Sequence, residues 1–274
     1  MATEIDNQVT DNEVTENEWV YGVHAVMGLL KADAARLHEI RLLRQRRDQR
    51  LDRIRALAET QGVPWQWAER AELDRLAPGR HQGVAAHCVA GPLRDESYLL
   101  ELVAQRREPL FLVLDGITDP HNLGACLRVA DAAGVAAVIA PRDRAVGITA
   151  TVQKVASGAA ATVPYVVVTN LARLLRRLRD AGVWVVGTGG EAETSLYDAD
   201  LRGPLALVMG AEDAGMRRLT RESCDLLVRL PMQGAVESLN VSVAAGICLF
   251  EAQRQRRAPA GGARGGGERG AAIG

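Results

Sequence analysis

The chain has 274 residues, 47% of them apolar but only 4% aromatic, and a formal net charge of −1. That length suffices for two ordinary domains whose cores must be built from Val, Leu and Ala. The first residues lack a basic segment followed by an apolar run, and no apolar stretch reaches bilayer length. A soluble, cytoplasmic protein with no membrane partner is therefore expected. Cys88, Cys126, Cys224 and Cys248 are widely spaced with no CxxC pair, so neither a metal site nor a disulfide framework is signalled.

The small net charge hides an uneven distribution. Residues 1–18 carry Glu4, Asp6, Asp11, Glu13, Glu16 and Glu18 with no Lys or Arg, whereas residues 36–55 carry eight Arg against Glu39, Asp48 and Asp52. The bland account of that basic cluster is a solvated helix face. It also permits a nucleic-acid partner without an overall basic chain.

Taken in order, the acidic segment 1–17 is poor in large apolar residues and is expected to be disordered. From Trp19 the pattern predicts a helix near 22–32, a strand at HEIRLL, a helix near 48–61, a strand at VPWQW, a helix near 69–76 and a strand at GVAAHCV. AGPLRDES (90–97) reads as a linker running into a helix at 97–106. A second α/β series follows, with strands PLFLVLDG, VAAVIA, VPYVVV, GVWVVGTGG, PLALVMG and DLLVRLP. Near-continuous Val/Leu/Ile runs suit strands buried on both faces of a parallel sheet. A last helix is predicted from Val241 to about Arg254, followed by a mobile tail rich in Gly, Ala and Arg.

Three segments at the ends of these strands carry the chemistry, where open α/β sheets bind ligands. In LDGITDPHNLGACLRVADAAGV, Asn122 is a predicted N-cap for a helix through about Ala133, and Arg128 would lean back over Gly124 and Ala125 to share a polar pocket with it. A cap plus a surface arginine fits this segment equally well. In LVMGAEDAGM, Gly210 would let a ligand approach the backbone, with Glu212 beside it, although a plain turn fits as well. In PMQGAVESLNVSVAAGICLFE, Ser238 or Asn240 would cap the last helix, and Ala244, Ala245 and Gly246 would admit another backbone closely. VVGTGGEA matches GxGxxA spacing through Gly187, Gly189 and Ala192, but the residues after it do not open an amphipathic helix, which argues against a dinucleotide fold.

Together the three segments resemble the motifs of the SpoU (TrmH) family of RNA ribose 2'-O-methyltransferases, in the SPOUT superfamily. Asn122, Gly124 and Arg128 match the first motif, Gly210, Glu212 and Gly215 the second, and Pro231, Ser238, Leu239 and Asn240 the third, in the family's order. VYGVHAVMGLL and HQGVAAHCV resemble the L30e-like RNA-binding domain attached to the bacterial enzymes that methylate a guanosine in the P loop of 23S rRNA.

The resemblance implies an α/β chain with a small L30e-like RNA-binding domain at 18–90, a linker at 91–107 and a trefoil-knotted methyltransferase domain with a parallel sheet at 108–256, flanked by disordered tails at 1–17 and 257–274. It further implies a homodimer joined through the knot and S-adenosylmethionine as cofactor. Thr188, Gly189, Gly190, Gly210, Leu230, Met232, Ser238 and Leu239 would hold that cofactor. Asn122, Arg128, Glu212, Ser238 and Asn240 carry the catalytic positions. A guanidinium stays protonated, so Arg128 would bind a phosphate or the developing alkoxide, with Glu212 either accepting a paired hydrogen bond that orients it or shaping the pocket. With RNA as substrate, Arg41, Arg44, Arg46 and Arg47 become candidates for phosphate contacts. Asp213 and Glu237 depart from the small or uncharged residues expected there in near relatives.

The implied activity is 2'-O-methylation of a guanosine in 23S rRNA. Methylation of tRNA or another rRNA site is the competing enzymatic reading; the separate N-terminal domain speaks against the shorter tRNA enzymes, whereas a few relatives with similar domains modify other sites. A non-catalytic RNA-binding protein with the same fold is the other, and the intact five-residue polar set speaks against it.

Overall fold

In the computed structural model, residues 17–44, 48–77, 81–89, 94–212 and 214–257 are described. The expected tails therefore lie outside the described residues, except for Asn17 and Arg257, as do Arg46, Arg47 and Asp213. The described chain divides by contact into two units. One holds the residues up to 93 together with Ser157–Thr162, and the other Arg94–Ala156 together with the residues from Val163.

The first unit runs β1 (Asn17–Tyr21), α1 (Val23–Ala32), β2 (Leu37–Leu43), α2 (Gln49–Gln61), β3 (Trp65–Ala68), α3 (Arg70–Leu76) and β4 (Val84–Val89). Its sheet has the order β1-β4-β2-β3, with β1 and β2 antiparallel to β4 and β3 parallel to β2. The sequence pattern missed β1, because five residues are too few to show an alternation and the strand is defined by its pairing with β4. Val26, Leu29, Leu30, Ile40, Leu42 and Ile54 form the core between this sheet and α1 and α2.

The second unit begins with α4 (Glu96–Gln105), β5 (Leu110–Asp115), α5 (Pro120–Ala132), β6 (Ala137–Pro141) and α6 (Ala150–Ala156). The short α7 (Ala159–Thr162) belongs to the first unit, and the second resumes with β7 (Tyr165–Val168), α8 (Leu171–Asp180), β8 (Trp184–Thr188), β9 (Thr194–Ser195), β10 (Leu205–Gly210), α9 (Arg218–Glu222), β11 (Leu226–Arg229) and α10 (Val241–Arg257). The seven strands form one sheet in the order β7-β6-β5-β10-β8-β11-β9, every pairing parallel.

Every residue of β5 and β6 is buried, which is why these strands read as unbroken apolar runs rather than alternating ones. The helix expected at 97–106, within the segment 91–107 taken as linker, is α4 (96–105), and its Leu99 and Leu102 are buried in the same core as Phe111, Leu174 and Val185. Asp95 caps α4 through the N–H groups of Ser97 and Tyr98. Glu96 then receives Arg173 and Arg177 of α8 at 2.9 and 2.7 Å.

Two local features fix the loop that follows β10. Gly210 pairs with Asp115 across the β10–β5 ladder, and the loop folds back so closely that a Cβ on Gly210 would stand 2.2 Å from the carbonyl carbon of Gly215. Here the glycine admits the chain's own backbone. Ala211 and Gly215 close the loop with reciprocal hydrogen bonds of 3.1 and 2.9 Å. At its exit Arg217 grips the buried Asp115, which is 1% exposed. The backbone N–H donates at 2.8 Å to one carboxylate oxygen, and Nε and Nη2 donate at 2.7 Å to the other.

Truncating one partner of such a buried pair strands the other charge. Arg217→Ala is expected to lower unfolding free energy by about 3 kcal/mol, and Gly210→Ala by about 1–3 kcal/mol through overpacking against backbone. Urea denaturation of both variants checks this, and unchanged midpoints would show that the loop is not under constraint.

Candidate active site

The three motif segments converge at the C-terminal edge of the second unit's sheet. Asp119 caps α5 by accepting the N–H of His121 at 3.0 Å, with Pro120 in the first turn. Asn122 was the expected cap. It lies instead inside the first turn, which leaves its amide for tertiary contacts.

Asn240 is the cap of α10, since its Oδ1 accepts the N–H of Ser242 at 3.0 Å and the Ser242 hydroxyl at 2.6 Å. With that oxygen committed, Nδ2 points outward and donates to Asn122 Oδ1 and to Glu212 Oε1, each at 2.8 Å. Glu212 Oε1 also accepts Asn122 Nδ2 at 3.2 Å and the Val241 N–H at 3.1 Å. Residues 122, 212 and 240 thus form a closed ring in which each amide has one allowed orientation. Glu212 further stands near the start of α10, where a carboxylate is favoured.

Arg128 does not join this ring. It is exposed on α5 and makes no hydrogen bond or ion pair among the described residues, so the expected pairing with Glu212 is absent. The room expected over Gly124 is also absent, because Gly124 packs on α6, where a Cβ would stand 2.7 Å from Val155 Cβ and 3.0 Å from the Val152 carbonyl. Its small size serves helix packing. At Gly246, by contrast, a Cβ would make only ordinary contact with Val129 of α5, at 3.5 Å.

An open cleft of about 720 Å³, its solvent-facing mouth included, adjoins the ring through Glu212. Thr188, Gly189, Gly190, Gly210, Leu230, Met232, Ser238 and Leu239 all line it, with Met209, Val228, Val241 and Ala244 adding apolar wall and Glu237 a second carboxylate. Thr188 ties its hydroxyl to the Val208 carbonyl at 3.2 Å. A Cβ on Gly190 would meet nothing within 4 Å and its φ is not positive. The missing side chain therefore leaves the cleft open rather than easing the backbone.

No helix follows Gly189, since the chain goes through a turn into β9, in keeping with the expectation against a dinucleotide fingerprint. Ser238 is exposed at the rim with no hydrogen-bond partner among the described residues. Burial, and then the Glu212 charge, push the Cys126 thiol up to about 12, so it remains a neutral thiol beside the site. Among the described residues no cluster could hold a metal ion, and no helix is long and apolar enough to cross a membrane.

In the first unit the expected basic patch is only partly free. Arg41 is 21% exposed and is held by Glu39 at 2.9 Å and Glu72 at 3.3 Å, so two carboxylates already neutralise it. Arg44 is exposed, with Glu69 no nearer than 3.8 Å. The Asp115–Arg217 clamp had no signal in the sequence beyond a lone carboxylate closing an apolar strand.

Known proteins share this arrangement. Residues 109–250 match the SpoU rRNA methylase family, and residues 19–92 match the RNA 2'-O ribose methyltransferase substrate-binding family. The 23S rRNA (guanosine-2'-O-)-methyltransferase RlmB of Ralstonia nicotianae is 58% identical over 247 residues, covering 89% of this chain and 98% of that protein. The RlmB of Pseudomonas putida is 55% identical over 245 residues, covering 89% and 99%. The SpoU methyltransferase AviRb from Streptomyces viridochromogenes, solved in complex with AdoMet, is 25% identical with a TM-score of 0.67, covering 87% of this chain and 90% of that one. The family match over residues 109–250 and these identities over 89% of its length show that the chain belongs to the SpoU rRNA methylase family.

Proposed function

We propose that this protein transfers a methyl group from S-adenosylmethionine to the ribose 2'-hydroxyl of a guanosine in the P loop of 23S rRNA, in the cytoplasm. The carrying observation is that relatives 55–58% identical over 89% of the chain are 23S rRNA (guanosine-2'-O-)-methyltransferases. The cleft supports the cofactor. Val228, Leu230, Met232 and Leu239 offer apolar wall for a nucleobase, Gly190 leaves space, and Glu212 and Glu237 suit a cationic ligand.

When bound there, S-adenosylmethionine supplies an electrophilic methyl on a sulfonium. The protein's task is to position the 2'-oxygen in line and to stabilise charge as its proton leaves. Ser238, with an uncommitted hydroxyl at the rim, and Asn122, with a second amide hydrogen to give, orient the ribose. Asn240 and Glu212 hold Asn122 in place through the ring described above. Arg128, with no carboxylate partner among the described residues, binds the adjacent phosphate or the developing alkoxide rather than taking a proton.

The strand order β10-β8-β11-β9, with α10 packed across α5 and β10, supports the threaded, knotted C-terminus that the family resemblance implies. Val243 and Phe250 lie one above the other on α10, 51% and 53% exposed. Such an apolar stripe supports a homodimer through this region.

The test is methyl transfer from labelled S-adenosylmethionine to unmodified 23S rRNA and to bulk tRNA, followed by mapping of the product. One 2'-O-methylguanosine in the P loop is expected, with transfer falling at least about 100-fold in Asn122→Ala and thermal stability preserved because Asn122 caps no helix. Label in tRNA, or cofactor binding without transfer, would overturn the assignment. Arg128→Lys is expected to lower turnover at saturating cofactor, since a point charge replaces the planar fork; full activity would remove that role. Replacing Arg44, Arg46 and Arg47 together by Ala should weaken RNA binding and flatten its salt dependence while cofactor affinity, read by calorimetry, stays as in the parent.

A further inference from the structure

We propose that the β6–α6 loop is a phosphate-binding element of the second unit, in which Arg142 and Arg144 hold the backbone of the substrate RNA beside the target ribose. This rests on the reading of the chain as an RNA 2'-O-methyltransferase, and adds a site that its motifs do not contain.

The loop's guanidinia are unpaired among the described residues, whereas several others of this unit are taken. Arg173 and Arg177 are taken by Glu96, Arg179 by Asp225, Arg217 by Asp115. By contrast, Arg142 and Arg144 are exposed, and their side chains make no hydrogen bond or ion pair among the described residues; Asp143 between them takes neither. Lys154, one turn into α6, is likewise exposed without an ion pair among the described residues. Unneutralised cations at this density suit a polyanion.

Their position is fixed by hydrogen bonds on both sides. The Arg142 N–H donates to the Val168 carbonyl at 2.8 Å, which extends the β6–β7 ladder by one residue. The Val146 N–H donates to the Ile117 carbonyl at 3.0 Å, and the Tyr165 hydroxyl donates to the Val146 carbonyl at 2.8 Å. Ile117 lies in the β5–α5 loop that delivers Asn122 to the polar ring. The basic loop is therefore pinned to the segment that carries the candidate catalytic amide, at the same edge of the sheet.

Arg144 also adopts φ +58°, in the left-handed region, which is disfavoured for any residue with a Cβ. A long charged side chain held in a glycine's conformation is the kind of outlier from which a functional demand is inferred. Contacts of this type hold the strand in register without reading bases.

Two variants test the proposal against a 23S fragment containing the P loop: Arg142→Ala/Arg144→Ala, and Arg144→Gly. The plot of log affinity against log salt should become shallower by about 0.7–0.9 for each phosphate contact removed, with KM for RNA raised more than kcat is lowered and S-adenosylmethionine affinity unchanged. Arg144→Gly should keep or raise Tm, because it relieves the positive φ, while still weakening RNA binding; a purely structural role for Arg144 would leave RNA affinity alone. If the parent protein methylates 23S rRNA and both variants keep its affinity and salt slope, the loop's role is overturned and the enzymatic reading stands. If the parent does not act on rRNA at all, that reading falls and takes the loop's assignment with it.

Discussion

A buried carboxylate with a single guanidinium partner sets the geometry on which the candidate site depends. Asp115 closes an entirely buried strand, where a lone charge would be costly, and the donors that satisfy it all come from Arg217. That fixes the far end of the loop whose near end is fixed by Gly210. Between them Glu212 has little freedom, and its Oε1 becomes the point to which Asn122, Asn240 and the first N–H of α10 are drawn. Three chain segments separated by as many as 118 residues are held by one clamp and one close backbone approach.

The polar ring also shows how a folding element and a functional element share atoms. Asn240 caps α10 with its oxygen, a contribution of about 1 kcal/mol, and the same act turns its nitrogen toward Asn122 and Glu212. Orientation of the amides follows from the start of a helix and needs no separate scaffold. The cleft is made in a similar way, from strand ends and turns whose side chains are small or apolar, leaving backbone and shape to define it.

Charge is distributed with comparable consequence. Along α4, α8 and α9 arginines meet carboxylates, as at Glu96 and Glu222, and such exposed pairs contribute little to stability. What they do is remove cations from those surfaces. Among the described residues, Arg128, Arg142 and Arg144, from the stretch that runs from α5 to α6, make no ion pair, and neither do Arg106, Arg107 and Arg176 elsewhere in the unit. A near-zero net charge is compatible with a polyanionic substrate, because unpaired cations can stand together on one loop while others are neutralised elsewhere.

The sequence by itself determined the α/β character, the strands buried on both faces and the identity of the converging polar residues, because apolar runs, caps and motif order are local properties written in consecutive residues. It did not show β1, which exists only as a partner of β4, nor that α4 belongs to a core rather than a linker, since Leu99 and Leu102 are buried by residues far along the chain. It assigned Gly124 to open space for a side chain, whereas packing against Val155 gives it a different task, and it did not show that Gly210 also admits the 215–216 backbone. Asn122 looked like a cap until Asp119 was found in that role, and Arg41 looked like a free cation until two carboxylates were found beside it. In each case residue type and spacing set what a side chain can do, while the tertiary fold alone decided which partner it meets, because hydrogen bonding, charge pairing and close packing depend on distances between residues that the order of the chain does not fix.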